Sequence, residues 1–408
     1  MNRLLMSLIN EKKIYLISRI YKPLYFTLEK FAFKHTGIPA YYNFIKYIEK
    51  DNRFDVEILF LLDSESIKKF KSGRYKIEGI NKKIRLVKYY PFSSELRLLK
   101  KLEWLVNRVF QYSFLFFQLK KKSIYYIDRD NILLGNILNI KKGLIVYRLL
   151  GVTKKLYNIL FLKKNLISKF FLRALNLKNK IIISTNDGSW AEKAKQNLND
   201  KNFHLMFNGT KLTQTKIVPE VKSIMNITCI SRLEPEKGYL ELLDILYLLK
   251  KKSINFKVLV IGDGSLKQKI INKIDKLGLD QYIKLKGNLE HKQIEQYLEK
   301  TDLFISYNYL GMIGNNVIEA SSKGIPIIAL DNDILHSSYK KFFYVIKENS
   351  IEDTVEFIEK FSNNLGLRIK YSNLSSMFFD QHIVNWNQRI KKELDMIYEK
   401  CNNDNYKH

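Results

Sequence analysis

A chain of 408 residues is long enough for two or three domains of ordinary size. Its 46% hydrophobic and 13% aromatic content supplies packed cores and excludes a disordered chain. The formal charge of +29 is lopsided: residues 1–200 hold 40 Lys and Arg against 16 acids, and residues 201–408 hold 30 against 25. Compositional bias alone would not respect a domain boundary, so part of that basic excess is expected to serve function. Cys229 and Cys401 cannot build a disulfide framework and form no CxxC pair, which fits a reducing cytosol. The apolar start is broken by Glu11, Lys12 and Lys13 and lacks a small-residue cleavage site, so no secretory signal is expected. Val109 to Leu119 includes Gln111 and Gln118 and falls well short of the roughly 18 apolar residues that span a bilayer. The expectation is a protein that is soluble or attached to a membrane surface.

In chain order, KKIYLISR (Lys12 to Arg19) reads as a first strand, followed by a Phe-rich segment. The loop His35-Thr36-Gly37-Ile38-Pro39-Ala40 leads into a helical pattern from about Tyr41 to Glu49. Strands are predicted at Phe54 to Asp63, Ile84 to Tyr90, Ser123 to Asp128, Leu144 to Leu150, Ile181 to Thr185 and Phe203 to Asn208. Helical patterns at Ser94 to Lys121, Asn131 to Asn139, Tyr157 to Leu175 and Ser189 to Leu198 lie between most of them. Short apolar strands alternating with helices argue for a parallel α/β sheet.

The stretch 209–222 is polar, lacks periodicity and contains Pro219, and is predicted to link a domain at 1–208 to one at 223–380. The second half repeats the alternation more cleanly, from NITCISR (Asn226 to Arg232) to IPIIAL (Ile325 to Leu330). A tail at 381–408 carries Trp386, Ile390, Leu394 and Ile397 at helical spacing. Two such domains suggest a ligand in a cleft at the carboxyl edges of their strands.

Three constellations carry chemistry. Ser231 to Gly238 (SRLEPEKG) follows a strand and places Arg232 and Lys237 in one loop, two cations suited to a diphosphate. Val260 to Ser265 (VIGDGS) ends another strand, where Gly262 lets a ligand approach the backbone. From Ile305 to Asp331 an apolar strand enters a Gly/Asn-rich loop. A helix then starts near Gly314, carries Glu319 in its second turn and stops at Gly324. Bare helix N–H groups favour a phosphate, and a nearby carboxylate can accept hydrogen bonds from a sugar diol. A nucleotide-sugar satisfies both.

In order and spacing, SRLEPEKG, VLVIGDGSL, IKLKGNL, TDLFISYN and GNNVIEASSKGIPIIALD resemble the donor-binding domain of GT-B glycosyltransferases, in particular glycosyltransferase family 4. The resemblance covers about Asn226 to Asp333, and Asn208-Gly209 is similar to that family's domain junction. It implies an α/β GT-B fold: two Rossmann-like domains facing each other across a cleft, with the C-terminal helix packing back toward the N-terminal domain. By position it implies that Arg232 and Lys237 bind the donor diphosphate and that Glu319 holds the ribose. Gly314, Asn315 and Asn316 would offer backbone donors, Gly262 would lie beside the nucleoside, and Gly37 would approach the phosphates from the first domain. It further implies retention at the anomeric carbon, with no metal and no cofactor beyond the nucleotide-sugar co-substrate.

Two departures stand out. The family pairs two Glu eight positions apart, and counting back from Glu319 reaches Gly311, so sugar recognition is expected to differ, through Asn308 or Asn315. Many members carry a His after the strand equivalent to LIVYRLLG, where this chain offers Arg148 and Gly151. Arg148 and His35 are candidates for phosphate or acceptor contact. Asp128-Arg129-Asp130 and Asp331-Asn332-Asp333 read as loop acids rather than metal ligands.

The basic half holds two aromatic or aliphatic segments rich in lysine, Trp104 to Lys122 and Lys154 to Lys180. Either could lie on an anionic inner leaflet, which would suit a lipid-linked saccharide acceptor in surface polysaccharide or lipopolysaccharide assembly. The basic residues mix with apolar runs and match no recognition motif, so nucleic acid is not an expected partner. A non-catalytic glycosyltransferase-like scaffold is the alternative reading, prompted by Gly311.

Overall fold

The structure is a computed structural model that describes residues 12–33, 39–91, 97–188, 190–211, 216–310, 313–331, 337–347 and 350–404. His35, Gly37 and Gly311 lie outside the described residues. The chain divides into two compact units, one from residues 1–185, 194–206 and 386–408, the other from 186–193 and 207–385.

In the first unit the elements run β1 (Lys12–Arg19), α1 (Lys22–Lys30), α2 (Pro39–Ile48), β2 (Phe54–Leu61), β3 (Gly73–Ile77) and β4 (Ile80–Val87). Then come α3 (Arg97–Gln118), β5 (Ile124–Asp128), α4 (Leu134–Leu138), β6 (Leu144–Leu149), α5 (Leu166–Leu175) and β7 (Lys180–Thr185), with α6 (Ala191–Leu198), whose residues from Ala194 belong to this unit, leading to β8 (Phe203–Met206). The strand order is β3-β4-β2-β1-β5-β6-β7-β8. Strands β5, β6 and β7 are buried at every residue, as expected of parallel strands covered on both faces. One pairing departs from the all-parallel expectation: β3 runs antiparallel to β4. The connection is too short for a crossover, and Gly79, at φ 83, supplies its left-handed residue.

The helix expected over Tyr157 to Leu175 is broken. A short helical turn and a π-turn at Asn158–Leu162 end where Lys163 is extended, and α5 restarts with the Asn165 side chain accepting from the Ser168 N–H. A side chain that caps an N-terminus competes with helix continuation, which apolar periodicity does not register.

The second unit holds β9 (Met225–Ile230), α7 (Tyr239–Lys251), β10 (Phe256–Ile261), α8 (Lys267–Leu277), β11 (Ile283–Leu285) and α9 (His291–Leu298). It continues with β12 (Leu303–Ser306), α10 (Asn315–Ser322), β13 (Ile327–Asp331), β14 (Tyr344–Lys347), α11 (Ile351–Ser362) and α12 (Leu365–His382). Its six strands are all parallel, in the order β11-β10-β9-β12-β13-β14. Gly324, at φ 67, ends α10 as the sequence suggested.

The last helix, α13 (Trp386–Asp404), belongs to the first unit. Its Ile390, Leu394 and Ile397 are buried in one core with Ile14, Leu16, Phe44 and Ile48. The expected return of the C-terminal helix to the N-terminal domain is therefore observed.

Candidate functional site

The site grows from the topology of the second sheet. The chain runs outward from β9 through β10 to β11, then returns to the other side of β9 for β12. Strand order therefore reverses between β9 and β12, and in open α/β sheets ligands bind outside the carboxyl ends of the strands at such a point.

Two loops are stitched together at the end of β9. Leu233 N–H donates to the Asp263 carbonyl at 3.0 Å, Leu266 N–H donates to the Leu233 carbonyl at 2.9 Å, and Ser265 Oγ donates to Glu234 at 2.6 Å. Gly262, at φ 140, explains why they fit: a Cβ there would lie 1.9 Å from the Ser231 carbonyl oxygen. Its immediate role is thus close backbone packing beside the site. Gly238 starts α7 at φ 58, and a Cβ there would lie 2.2 Å from Tyr307 Cδ1. That requirement was visible in the sequence only as a Gly after Lys237.

The two cations differ. Arg232 is 70% exposed and pairs with Glu236 at 3.2 Å, one turn away. Such an exposed pair is worth at most about 1 kcal/mol, so an anionic ligand can recruit this guanidinium cheaply. Lys237 is partly buried, and burial pushes its pKa down. Its Nζ donates to Asn308 Oδ1 at 3.1 Å, tying the β9 loop to the end of β12. A phosphate placed beside it would restore the charged form that burial disfavours.

Helix α10 faces the same edge. Gly314 is its N-cap, with no side chain closing the terminus, and its carbonyl accepts from Val317 and Ile318 N–H. Asn316 Nδ2 donates to the Ile230 carbonyl at 2.5 Å, fixing the helix start against the end of β9. Asn315 Oδ1 accepts from Asn208 Nδ2 at 2.7 Å. Asn208, just before the linker, therefore braces the helix that was expected to bind phosphate.

Glu319, 19% exposed, sits one turn further along α10 and meets His291 Nε2 at 3.0 Å. His291 opens α9, and its hydrogen bond to Glu319 raises its pKa above the ordinary histidine value. Sequence reasoning missed this partner because the two residues lie on different helices. The structure thus brings Arg232, Lys237, Asn308, Gly314, Asn315, Asn316 and Glu319 to the β9–β12 end of one sheet, with Gly262 behind the first loop.

Arg148 sits elsewhere, in the first unit, with 3% of its side chain exposed. Its guanidinium donates to the Leu149 carbonyl at 2.6 Å and to Thr185 Oγ1 at 3.1 Å, and it approaches Glu393 of α13 at 3.8 Å. Those contacts are interior ones. Asp128 is likewise buried, accepting from Ser18, Tyr21 and Asn131 side chains, and burial raises its pKa.

These motifs have counterparts among known proteins. Residues 216–375 match the family model "Glycosyl transferases group 1". The 2-deoxystreptamine N-acetyl-D-glucosaminyltransferase of Niallia circulans is 25% identical over 118 residues, 29% of this chain and 30% of that protein. The poly(ribitol-phosphate) alpha-N-acetylglucosaminyltransferase of Staphylococcus aureus is 30% identical over 138 residues, 33% of this chain and 28% of that protein. The chain thus spans less than a third of the length of these curated relatives. Among solved structures, Anabaena HepE in complex with UDP superposes with a TM-score of 0.64 at 15% identity, covering 94% of this chain and 100% of that one. At such identity the likeness speaks for the fold, and the fold is the two-sheet GT-B type.

Proposed function

We propose that this protein is a glycosyltransferase of family 4 type, moving a sugar from a nucleotide-sugar to a saccharide acceptor with retention. The observation that carries the reading is the convergence of Arg232, Lys237, the α10 N-terminus and Glu319 at the β9–β12 switch point. The family match over residues 216–375 supports it independently. In this reading Glu319 holds the ribose hydroxyls, and Arg232, Lys237 and the amides of α10 receive the diphosphate. The bond from the anomeric carbon to the diphosphate oxygen breaks and one to the acceptor oxygen forms. The acceptor proton passes to the departing diphosphate. Charge builds on that leaving group, so electrostatic stabilisation carries the rate and no protein nucleophile is required.

The acceptor in this proposal is lipid-linked, in bacterial surface polysaccharide or lipopolysaccharide assembly, and the enzyme works at the inner face of the cytoplasmic membrane. The basic first half of the chain supports that placement. Both curated relatives named above are N-acetylglucosaminyltransferases, so UDP-N-acetylglucosamine is the first donor to offer.

The test is release of free nucleotide from a panel of nucleotide-sugars with a lipid-linked acceptor. Lys237→Met is expected to lower kcat/KM by roughly a hundred- to a thousandfold, the usual effect of removing one preorganised charge donor. Binding without turnover for every donor would favour a non-catalytic scaffold instead. Turnover unaffected by Lys237→Met or Arg232→Ala would remove the site assigned here.

A further inference from the structure

Helix α3 is built inside out over its first half, ahead of the buried Tyr112 and Leu115. Its buried residues include Glu103, Asn107, Arg108 and Gln111, at 6%, 1%, 8% and 0% exposure. Its exposed residues include Leu102, Leu105, Val106, Val109 and Phe117, the last at 79%. The positions 102, 106, 109 and 117 recur at helical spacing and form one outward stripe. An ordinary surface helix places these two faces the other way round.

The inward polar face is a set of satisfied contacts. Asn107 accepts from Tyr90 N–H at 2.6 Å and donates to the Tyr90 carbonyl at 2.7 Å. Gln111 Nε2 donates to the carbonyls of Leu62 and Lys88, and Arg108 donates to Gln111 and Asn131 side chains. Helix α3 is therefore fixed in this orientation, and its apolar stripe is held outward.

The neighbouring elements extend that surface. Helix α3 packs against α4, and α4 against α5, whose Phe170 carbonyl accepts from Asn136 Nδ2 at 2.9 Å. On the π-turn and α5, Leu162, Leu166 and Ile167 are 65%, 68% and 59% exposed, while the small Ser168 and Ala174 point inward. Lys163, Lys164, Lys169 and Arg173 stand exposed among them. From 97 to 173 the chain holds 17 Lys and Arg against three acids.

We infer that the outer face of α3, with the π-turn and α5, docks onto an anionic lipid bilayer, its Leu, Val, Ile and Phe side chains entering the boundary while the flanking lysines meet phosphate headgroups. Apolar residues ringed by cations match that surface on both counts. A second copy of this chain would bring the same positive charge against itself. Among the described residues no helix is long and apolar enough to cross a membrane. The inference gives the membrane placement proposed above a defined face, and because vesicle binding needs no turnover the two readings fail separately.

The experiment is co-sedimentation of the full chain with vesicles of phosphatidylcholine, alone or mixed with phosphatidylglycerol. Binding is expected only with the anionic lipid and should weaken with salt. The double variant Val109→Glu/Ile167→Glu is expected to lose at least tenfold in vesicle affinity while keeping its thermal melt and nucleotide release. Quenching of tryptophan emission by brominated lipid, lost in Trp104→Phe, would register insertion, since Trp104 on α3 is 49% exposed. Absence of binding to anionic vesicles, equal binding by the double variant, or vesicle binding without quenching overturns the inference. So does a concentration-dependent dimer that the double variant abolishes, or an acidic protein partner that covers this face instead.

Discussion

In the proposed donor site the ribose hydroxyls compete with His291 for the Glu319 carboxylate, and that competition has a sign. The His291 pKa is raised, first by its hydrogen bond to Glu319, while burial and the nearby Lys211 charge oppose the shift. A raised histidine lends its pairing fully below the ordinary value of 6.5 and loses it as pH climbs through the higher folded value. The closed pair is thus strongest in acid, and nucleotide affinity should rise as pH passes above 6.5. Calorimetric titration of UDP across that window is expected to show the rise, and His291→Gln is expected to flatten it. A slope that survives His291→Gln would assign the effect to another group. The individual cations Arg232 and Lys237 were legible as a pair in one loop, but the difference in their burial was not. That difference depends on Asn308 arriving from β12, 71 residues later.

Helices were easier to find than to orient. The periodicity of α3 announced a helix over most of its length, and the strands that were expected fell close to their positions, whereas β3 was not anticipated. Which face of α3 turns inward was not legible, because hydrophobic patterning assumes that apolar residues go in. The carbonyls of Leu62, Lys88 and Tyr90 decide otherwise, and they come from segments distant in sequence. Helices α11 and α12 and strand β14 were not anticipated, since the motifs that guided the reading stop near Asp333. At this scale Asn107→Leu is a direct check. It adds apolar bulk to a helix yet strands the Tyr90 N–H and carbonyl, so it should lower stability by about 2–4 kcal/mol in urea denaturation. A neutral or stabilising outcome would mean that the polar face of α3 is not what fixes its orientation.

At the scale of the whole molecule, α13 closes the first core with more than its apolar stripe. Glu393, fully buried, accepts from Arg389 and the Tyr126 hydroxyl and lies beside Arg148. Burial alone would raise its pKa, but the two guanidinium groups hold it below the usual carboxylate value. Glu393→Gln would leave two interior cations without their counter-charge, a change that costs about 3–5 kcal/mol when one partner of a buried pair is removed. Thermal or urea unfolding should register that loss, and a shift under 1 kcal/mol would show that the pair is dispensable. Arg148 was singled out in the sequence for a possible ligand contact. The helix it meets lies far along the chain, and nothing local to LIVYRLLG reveals that neighbour.

The return of α13 to the first unit also sets an order for biosynthesis. Apart from residues 186–193, the second unit runs from 207 to 385, and the ends of that stretch meet where Thr210 N–H donates to the Val384 carbonyl at 3.3 Å. On the ribosome, β1 to β8 emerge first yet lack the helix that seals their core and neutralises Arg148. The later-made unit has all its strands before that helix appears. Translation therefore leaves the first sheet waiting with an open flank until α13, made after the second unit, closes it.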